Sequence, residues 1–238
     1  MNIAIVLAGG TGSRMGAGVP KQFIEIGGKP LVVHTLEKFQ ESPLIDAIIA
    51  VSNRSSVGEY DGLREKYGLT KLVSVVSGGG DRARSSFNGL KAAKKYFEKN
   101  DRGEKSGAAA DGRFVLIHDG ARPFVTEEII GENLRLVREY GACETVIPCN
   151  DTLVKGLSGF NSGSVPRGNV FRVQTPQTFR LDVIWEAFEK YDFDCEDPVT
   201  DDAELVVRNG GRVALAAGSP LNVKITDPGD LEFFGRGT

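Results

Sequence analysis

The 238-residue sequence holds only three cysteines and two histidines. Cys143, Cys149 and Cys195 are too few for a disulfide framework, and no close cysteine or histidine partners supply zinc-ligand spacing. Free thiols in a reducing compartment are the expectation. No apolar run approaches the roughly 18 residues of a membrane span. Met1 leads into the apolar residues 3–7 with no basic, cleavable leader. A cytoplasmic protein with no membrane partner is expected. An excess of one charge is also lacking: 29 basic against 32 acidic residues leave a formal net charge of -3. That argues against a nucleic-acid binder held by bulk charge, while leaving room for a local basic pocket for phosphates. Two common phosphate loops fail as well. Met15 stands where a dinucleotide fingerprint needs its last glycine, and no glycine loop ending in Gly-Lys-Ser/Thr occurs.

What is present is glycine, 30 residues of it, well above the usual share of about 7%. The length suits one large domain or one domain with an appendage. Short β-branched runs at 3–7, 47–52, 72–76, 114–118 and 145–148 are strand candidates. Amphipathic stretches separate them: Val32, Leu36 and Phe39 share a helical face, as do Ile130, Leu134 and Val137, and Phe87, Leu90 and Phe97. Thr126, followed by Glu127 and Glu128, marks a helix start. Near-continuous apolar strands alternating with helices imply a parallel sheet covered on both faces. Ligands bind such sheets outside the carboxyl ends of the strands, so motifs following Leu7, Val76 and His118 gather at one rim. Residues 100–112 read as a surface loop, and residues 151–179 as a projecting β-arm. Residues 182–191 and 201–207 read as helices, and residues 221–226 as a strand or extended segment.

Three strand ends carry chemistry. The run LAGGTGSRMG, residues 7–16, offers backbone amides to an anion through Ala8, Gly9, Gly10 and Gly12. Arg14 within it and Lys21 just after it are two cations flanking a glycine cradle, which suits a triphosphate; a plain tight turn with solvated cations is the alternative. The run HDGARP, residues 118–123, places Asp119 where a carboxylate can hold Mg²⁺ together with substrate phosphates. Arg122 either clamps a phosphate or orients Asp119, and His118 reads as a packed or hydrogen-bonded histidine. In the run GGGDRARS, residues 78–85, backbone groups with Ser85 can read the edge of a base, or simply form a glycine-rich helix entry. Asp192 and Asp194 mimic a glycosyltransferase metal motif but sit in an acidic run that reads as a solvated turn.

These runs occur in order with PKQF, an Asp-Thr pair at 151–152, QTPQ, TDDAELV and a closing KIT. As an ensemble they resemble the 2-C-methyl-D-erythritol 4-phosphate cytidylyltransferases of the non-mevalonate isoprenoid pathway. Ribitol-5-phosphate cytidylyltransferase shares most of them, and Thr200-Asp201-Asp202-Ala203 leans toward the methylerythritol branch. The resemblance implies a Rossmann-like nucleotidyltransferase fold. It also implies transfer of a cytidylyl group from CTP to a polyol phosphate, with no enzyme nucleophile. It casts Arg14 and Lys21 as the catalytic cations, Asp119 as the Mg²⁺ ligand, and Ala8, Gly9, Gly10, Gly12, Gly79, Gly80, Ser85, Gly120 and Arg122 as nucleotide-binding. Thr152, Arg167, Thr175 and Lys224 would grip the polyol phosphate, and the arm would interlock two subunits of a homodimer. A nicotinamide-dependent oxidoreductase is disfavoured by the failed fingerprint and the Arg14–Lys21 pair. A non-catalytic nucleotide binder would keep Arg14, Lys21, Asp119, Arg167 and Lys224 without using them.

Overall fold

The computed structural model describes residues 1–10, 20–100, 112–227 and 229–230. The glycine-loop residues Gly12 and Arg14, most of the expected 100–112 loop and the C-terminal residues 231–238 lie outside the described residues. In chain order the elements are β1 (Asn2–Ala8), β2 (Glu25–Ile26), β3 (Lys29–Pro30), α1 (Leu31–Glu41), β4 (Ala47–Ser52), α2 (Glu59–Lys66), β5 (Leu72–Ser77) and α3 (Arg82–Asn100). After them come β6 (Phe114–Asp119), α4 (Glu127–Tyr140), β7 (Ala142–Pro148), β8 (Leu153–Leu157), β9 (Phe160–Val165), β10 (Phe171–Arg180), α5 (Leu181–Glu189), α6 (Asp202–Arg208) and β11 (Ala214–Ala217).

Seven strands form one sheet in the order β11-β7-β10-β6-β1-β4-β5. β1 runs parallel to both β4 and β6, and β4 parallel to β5. Alternate residues of the apolar runs feed two cores, which is why these strands carry no polar face. Ala4, Val6, Ile48, Ala50 and Leu116 pack toward α1, α2 and α4. Ile3, Ile5, Ile49, Val51, Val115 and Ile117 pack toward α3, α5 and α6. The helix starting at Thr126 has the cap expected of it, the Thr126 hydroxyl accepting from Ile129 N. Gly141 ends α4 with φ of 79°, a left-handed position that glycine occupies without steric cost.

The irregular half departs from its sequence reading in two places. The stretch 151–179 divides. Only β8 and β9 form a separate two-stranded hairpin, whereas β10 enters the main sheet antiparallel to both β6 and β7. Its partners are remote in sequence, and its own run FRVQTPQTFR has too little apolar alternation to signal a central strand. Residues 221–226 are not a strand: the closing edge strand is β11, parallel to β7. The later segment is instead tied down by side-chain bonds, with Asn222 Nδ2 donating to Thr175 O at 2.9 Å.

Candidate active site

The carboxyl ends of β1 and β6 and the N-terminus of α3 enclose a cavity of about 480 Å³. Ala8, Gly9 and Gly10 line one wall, Gly79, Gly80 and Ser85 a second, and Gly120 the floor between them. Space is tight at Gly120: a Cβ there would stand 3.0 Å from both Ala8 Cβ and Leu7 O, so a larger residue would make β1 give by a few tenths of an ångström. At Gly79 a Cβ would collide with Arg84 Cβ. Ser85 Oγ accepts from Gly79 N at 3.0 Å and donates to Asp81 O at 2.8 Å, which holds the glycine turn against the first turn of α3.

The cavity is rich in fixed charge. Lys21 lines it from a short 3-10 turn, Lys21–Phe23, and Lys224 from the C-terminal segment. Asp119, at the last position of β6, receives both Lys224 Nζ at 3.1 Å and Arg122 Nε at 3.0 Å on its Oδ2 oxygen. Burial alone would push the Asp119 carboxyl up. The cations of Lys224, Arg122 and Arg82 outweigh it and hold the group well below the usual carboxylate range. The acid is therefore an anion at neutral pH and faces the cavity. Among the described residues no three His, Cys, Asp or Glu side chains gather to hold a metal by themselves. A single ionised carboxylate suits Mg²⁺, which commonly takes one or two carboxylates and completes its shell with water and substrate phosphates.

Of the two roles open to Arg122, the geometry displays the second. Its Nε donates to Asp119, its Nη1 donates to Asn222 O at 3.0 Å, and it does not line the cavity. His118 is fully buried, with Nε2 3.0 Å from Arg122 O and Nδ1 3.1 Å from Thr175 Oγ1. Burial pulls its pKa down to about 4, so the ring is neutral at pH 7. Thr175, expected among the substrate contacts, turns its hydroxyl inward to His118 and the Asp119 backbone and is also absent from the cavity wall. Thr152 and Arg167 flank the hairpin. Neither lines the cavity of its own chain, and Arg167 Nη1 donates to Asn150 O at 2.8 Å.

The sequence reading missed Arg82 and undervalued Asp202. Arg82 lines the cavity and pairs with the buried Asp202 at 2.7 Å. Burial works against both charges; Asp202 and Asp119 offset it for Arg82, as Arg82 does in part for Asp202. The GGGDRARS run shows two arginines, and only helical phase separates them. Arg84 points outward to Asp81 and the exposed Asp194, while Arg82 points to the cavity. Asp192 and Asp194 thus belong to a surface turn, as read.

Comparison with known proteins agrees with this architecture. The IspD family model, described as 2-C-methyl-D-erythritol 4-phosphate cytidylyltransferase, matches residues 2–234. A protein of that name from Clostridium acetobutylicum is 40% identical over 236 residues, covering 97% of this chain and 94% of its own. Another from Geobacillus thermodenitrificans is 40% identical over 230 residues, covering 97% and 93%. Among solved structures, the 4-diphosphocytidyl-2C-methyl-D-erythritol synthase of Anaerococcus prevotii superposes with a TM-score of 0.79 at 29% identity, over 99% of this chain and 97% of that one. The Francisella tularensis 2-C-methyl-D-erythritol 4-phosphate cytidylyltransferase superposes at 0.75 with 26% identity, over 98% and 97%.

Proposed function

Since the chain belongs to the 2-C-methyl-D-erythritol 4-phosphate cytidylyltransferase family, we infer that it joins CTP to 2-C-methyl-D-erythritol 4-phosphate, releasing pyrophosphate. An oxygen of the substrate phosphate forms a bond to the α-phosphorus of CTP. The bond from that phosphorus to the β-bridging oxygen breaks, and pyrophosphate leaves with the electron pair. No side chain is consumed, so catalysis is positioning and charge stabilisation. The observation that carries this reading is the glycine-walled cavity at the β1 and β6 ends, with Lys21, Asp119 and Lys224 on its rim.

The cytidine and its phosphates occupy the cradle of Ala8, Gly9 and Gly10 and the turn of Gly79, Gly80 and Ser85, with Gly120 beneath; Gly12 is assigned to the same nucleotide contact by its place in the glycine run. Lys21, joined by Arg14 from the glycine loop, neutralises charge on the five-coordinate phosphorus. Asp119, held by Arg122 and Lys224, is the residue that would hold Mg²⁺; bound there, the ion would supply charge neutralisation to the triphosphate and the leaving pyrophosphate. Lys224 faces the polyol phosphate as a point charge, beside the segment carrying Thr175.

Thr152 and Arg167 reach a substrate from the partner subunit of a homodimer. Supporting this, the hairpin exposes Val154, Leu157 and Phe160, the last at 78%, a set of apolar side chains that suits a protein contact. Arg167 then supplies the bidentate phosphate clamp that Lys224 cannot. Among the described residues no helix is long and apolar enough to cross a membrane, and a cytoplasmic location fits the metabolite substrates. The deciding experiment is pyrophosphate release from CTP and Mg²⁺ with each polyol phosphate. A kcat/KM for ribitol 5-phosphate equal to or above that for 2-C-methylerythritol 4-phosphate overturns the substrate assignment.

A further inference from the structure

Asp119 is aimed by more than its two ion pairs. The ladder between β6 and β10 ends at the Ile117–Gln177 pair, because the register of β10 against β7 shifts between Val173 and Gln177. Beyond that point the Asp119 N–H has no strand partner in β10, and the Thr175 hydroxyl takes its place at 3.0 Å. We propose that Thr175 and His118 are positioning residues, linked in a directed hydrogen-bond chain that sets the Asp119 turn. This rests on the reading of Asp119 as the carboxylate that meets Mg²⁺ and the triphosphate.

The chemistry of the partners gives every link a direction. The Arg122 carbonyl can only accept, so the His118 nitrogen 3.0 Å away, Nε2, carries the proton. The Thr175 hydroxyl carries a single hydrogen, and the ring nitrogen set against it is Nδ1, so Thr175 donates to Nδ1 across 3.1 Å. The Asp119 N–H can only donate, so Thr175 Oγ1 accepts from it. The chain runs from Asp119 N–H to Thr175, from Thr175 O–H to His118, and from His118 Nε2–H to the Arg122 carbonyl. It begins and ends in one turn, and Arg122 closes the circuit by donating from Nε to Asp119 Oδ2. The backbone of Asp119 and the cation that grips its carboxylate are thereby fixed by the same two buried side chains. Phe39 packs edge-on to the His118 ring at a centroid distance of 5.1 Å, and that contact limits tilting of the imidazole. Thr175 is only 4% exposed, so its hydroxyl is spent inside this chain rather than offered to a ligand.

The inference predicts a kinetic signature different from that of a substrate contact. Thr175→Val keeps the shape but leaves the Asp119 N–H and His118 Nδ1 without partners. Loss of such an outer support commonly costs 10–100-fold in metal affinity or activity. Thr175→Val should therefore lower kcat by roughly 10–100-fold and raise the Mg²⁺ concentration needed for half-maximal rate. KM for the polyol phosphate should stay within about twofold of the parent, and Thr175→Ser should restore the parent values, since only the hydroxyl matters. A raised polyol-phosphate KM with kcat and Mg²⁺ dependence retained would make Thr175 a direct substrate contact and overturn the proposal. A second readout needs neither turnover nor a variant at these positions. The ¹⁵N imidazole resonances of His118 in the ligand-free protein should show protonated Nε2 and bare Nδ1. The opposite tautomer overturns the proposal, even if Thr175→Val fails to fold. If the parent shows no cytidylyl transfer, the functional reading falls, and the tautomer still decides the chain.

Discussion

A buried neutral histidine makes a quantitative demand on stability in acid. The perturbation is replacement of His118 by Gln, studied without Mg²⁺ or nucleotide in the presence of a chelator. His118 has a pKa of about 4 in the folded protein, lowered from 6.5 by burial. With the folded value depressed, the neutral ring costs nothing above pH 6.5, where both states are unprotonated. Between pH 6.5 and about 4 the unfolded chain binds a proton that the folded protein refuses, and stability falls by about 1.4 kcal/mol per pH unit. Below about pH 4 both states are protonated and the loss levels off. Between pH 7 and 4.5 the parent should lose about 2.5 kcal/mol that His118→Gln does not lose.

Other groups titrate nearby, some with opposite sign. Burial raises Glu144, with Asp201 adding to the effect, and burial also raises Asp202; both therefore favour the folded state as pH falls. The quantity to read is accordingly the difference between parent and variant, from urea midpoints at each pH. His34, the other histidine, is changed to Gln in both proteins. With a slope of about 3 kcal/mol per molar, the two midpoints should diverge by about 0.8 M over this range. Parallel loss of stability in parent and variant refutes a neutral, buried His118.

Three further outcomes follow from the cavity. Arg14→Ala and Lys21→Ala should each lower turnover by about 10²–10³-fold with far smaller effects on CTP binding, because their charge is needed most in the transition state; near-normal turnover in either, measured by pyrophosphate release, removes that residue from the catalytic pair. Asp119→Asn should retain the folded circular-dichroism spectrum yet lose productive use of Mg²⁺, with a rate loss of at least about 10²-fold; an unchanged Mg²⁺ titration would place the ion on Asp201 and Asp202 or on phosphates alone. Mixing Arg14→Ala chains with Arg167→Ala chains should recover activity neither shows alone, since a mixed dimer assembles one intact shared site; no recovery after confirmed subunit exchange would mean a site built within one chain.

The parts of the molecule legible in the sequence are those set by local pattern. β1, β4, β5 and β6 appear as apolar runs because a doubly covered parallel strand buries both its faces. α1 and α4 appear through apolar periodicity, and the start of α4 through the Thr126 cap. The glycine runs and the HDGARP turn were placed at strand ends for the same reason, and the cavity lies there. Tertiary structure decided what depends on partners remote along the chain. β10 is a central strand only because β6 and β7, both remote from it along the chain, flank it, and its polar run signals nothing by itself. α2 and β11 are short elements whose apolar pattern is too sparse to read alone. Within the site, residue type was visible but direction was not. Arg82 meets the cavity and Arg84 the surface because of helical phase, and Arg122 turns to Asp119 because Asn222 O fixes its far end. Thr175 looks inward because the β10 register shift leaves an unpaired Asp119 N–H for it to satisfy. Composition and periodicity specify which groups a segment can offer, whereas hydrogen-bond satisfaction across non-adjacent strands specifies where each one points.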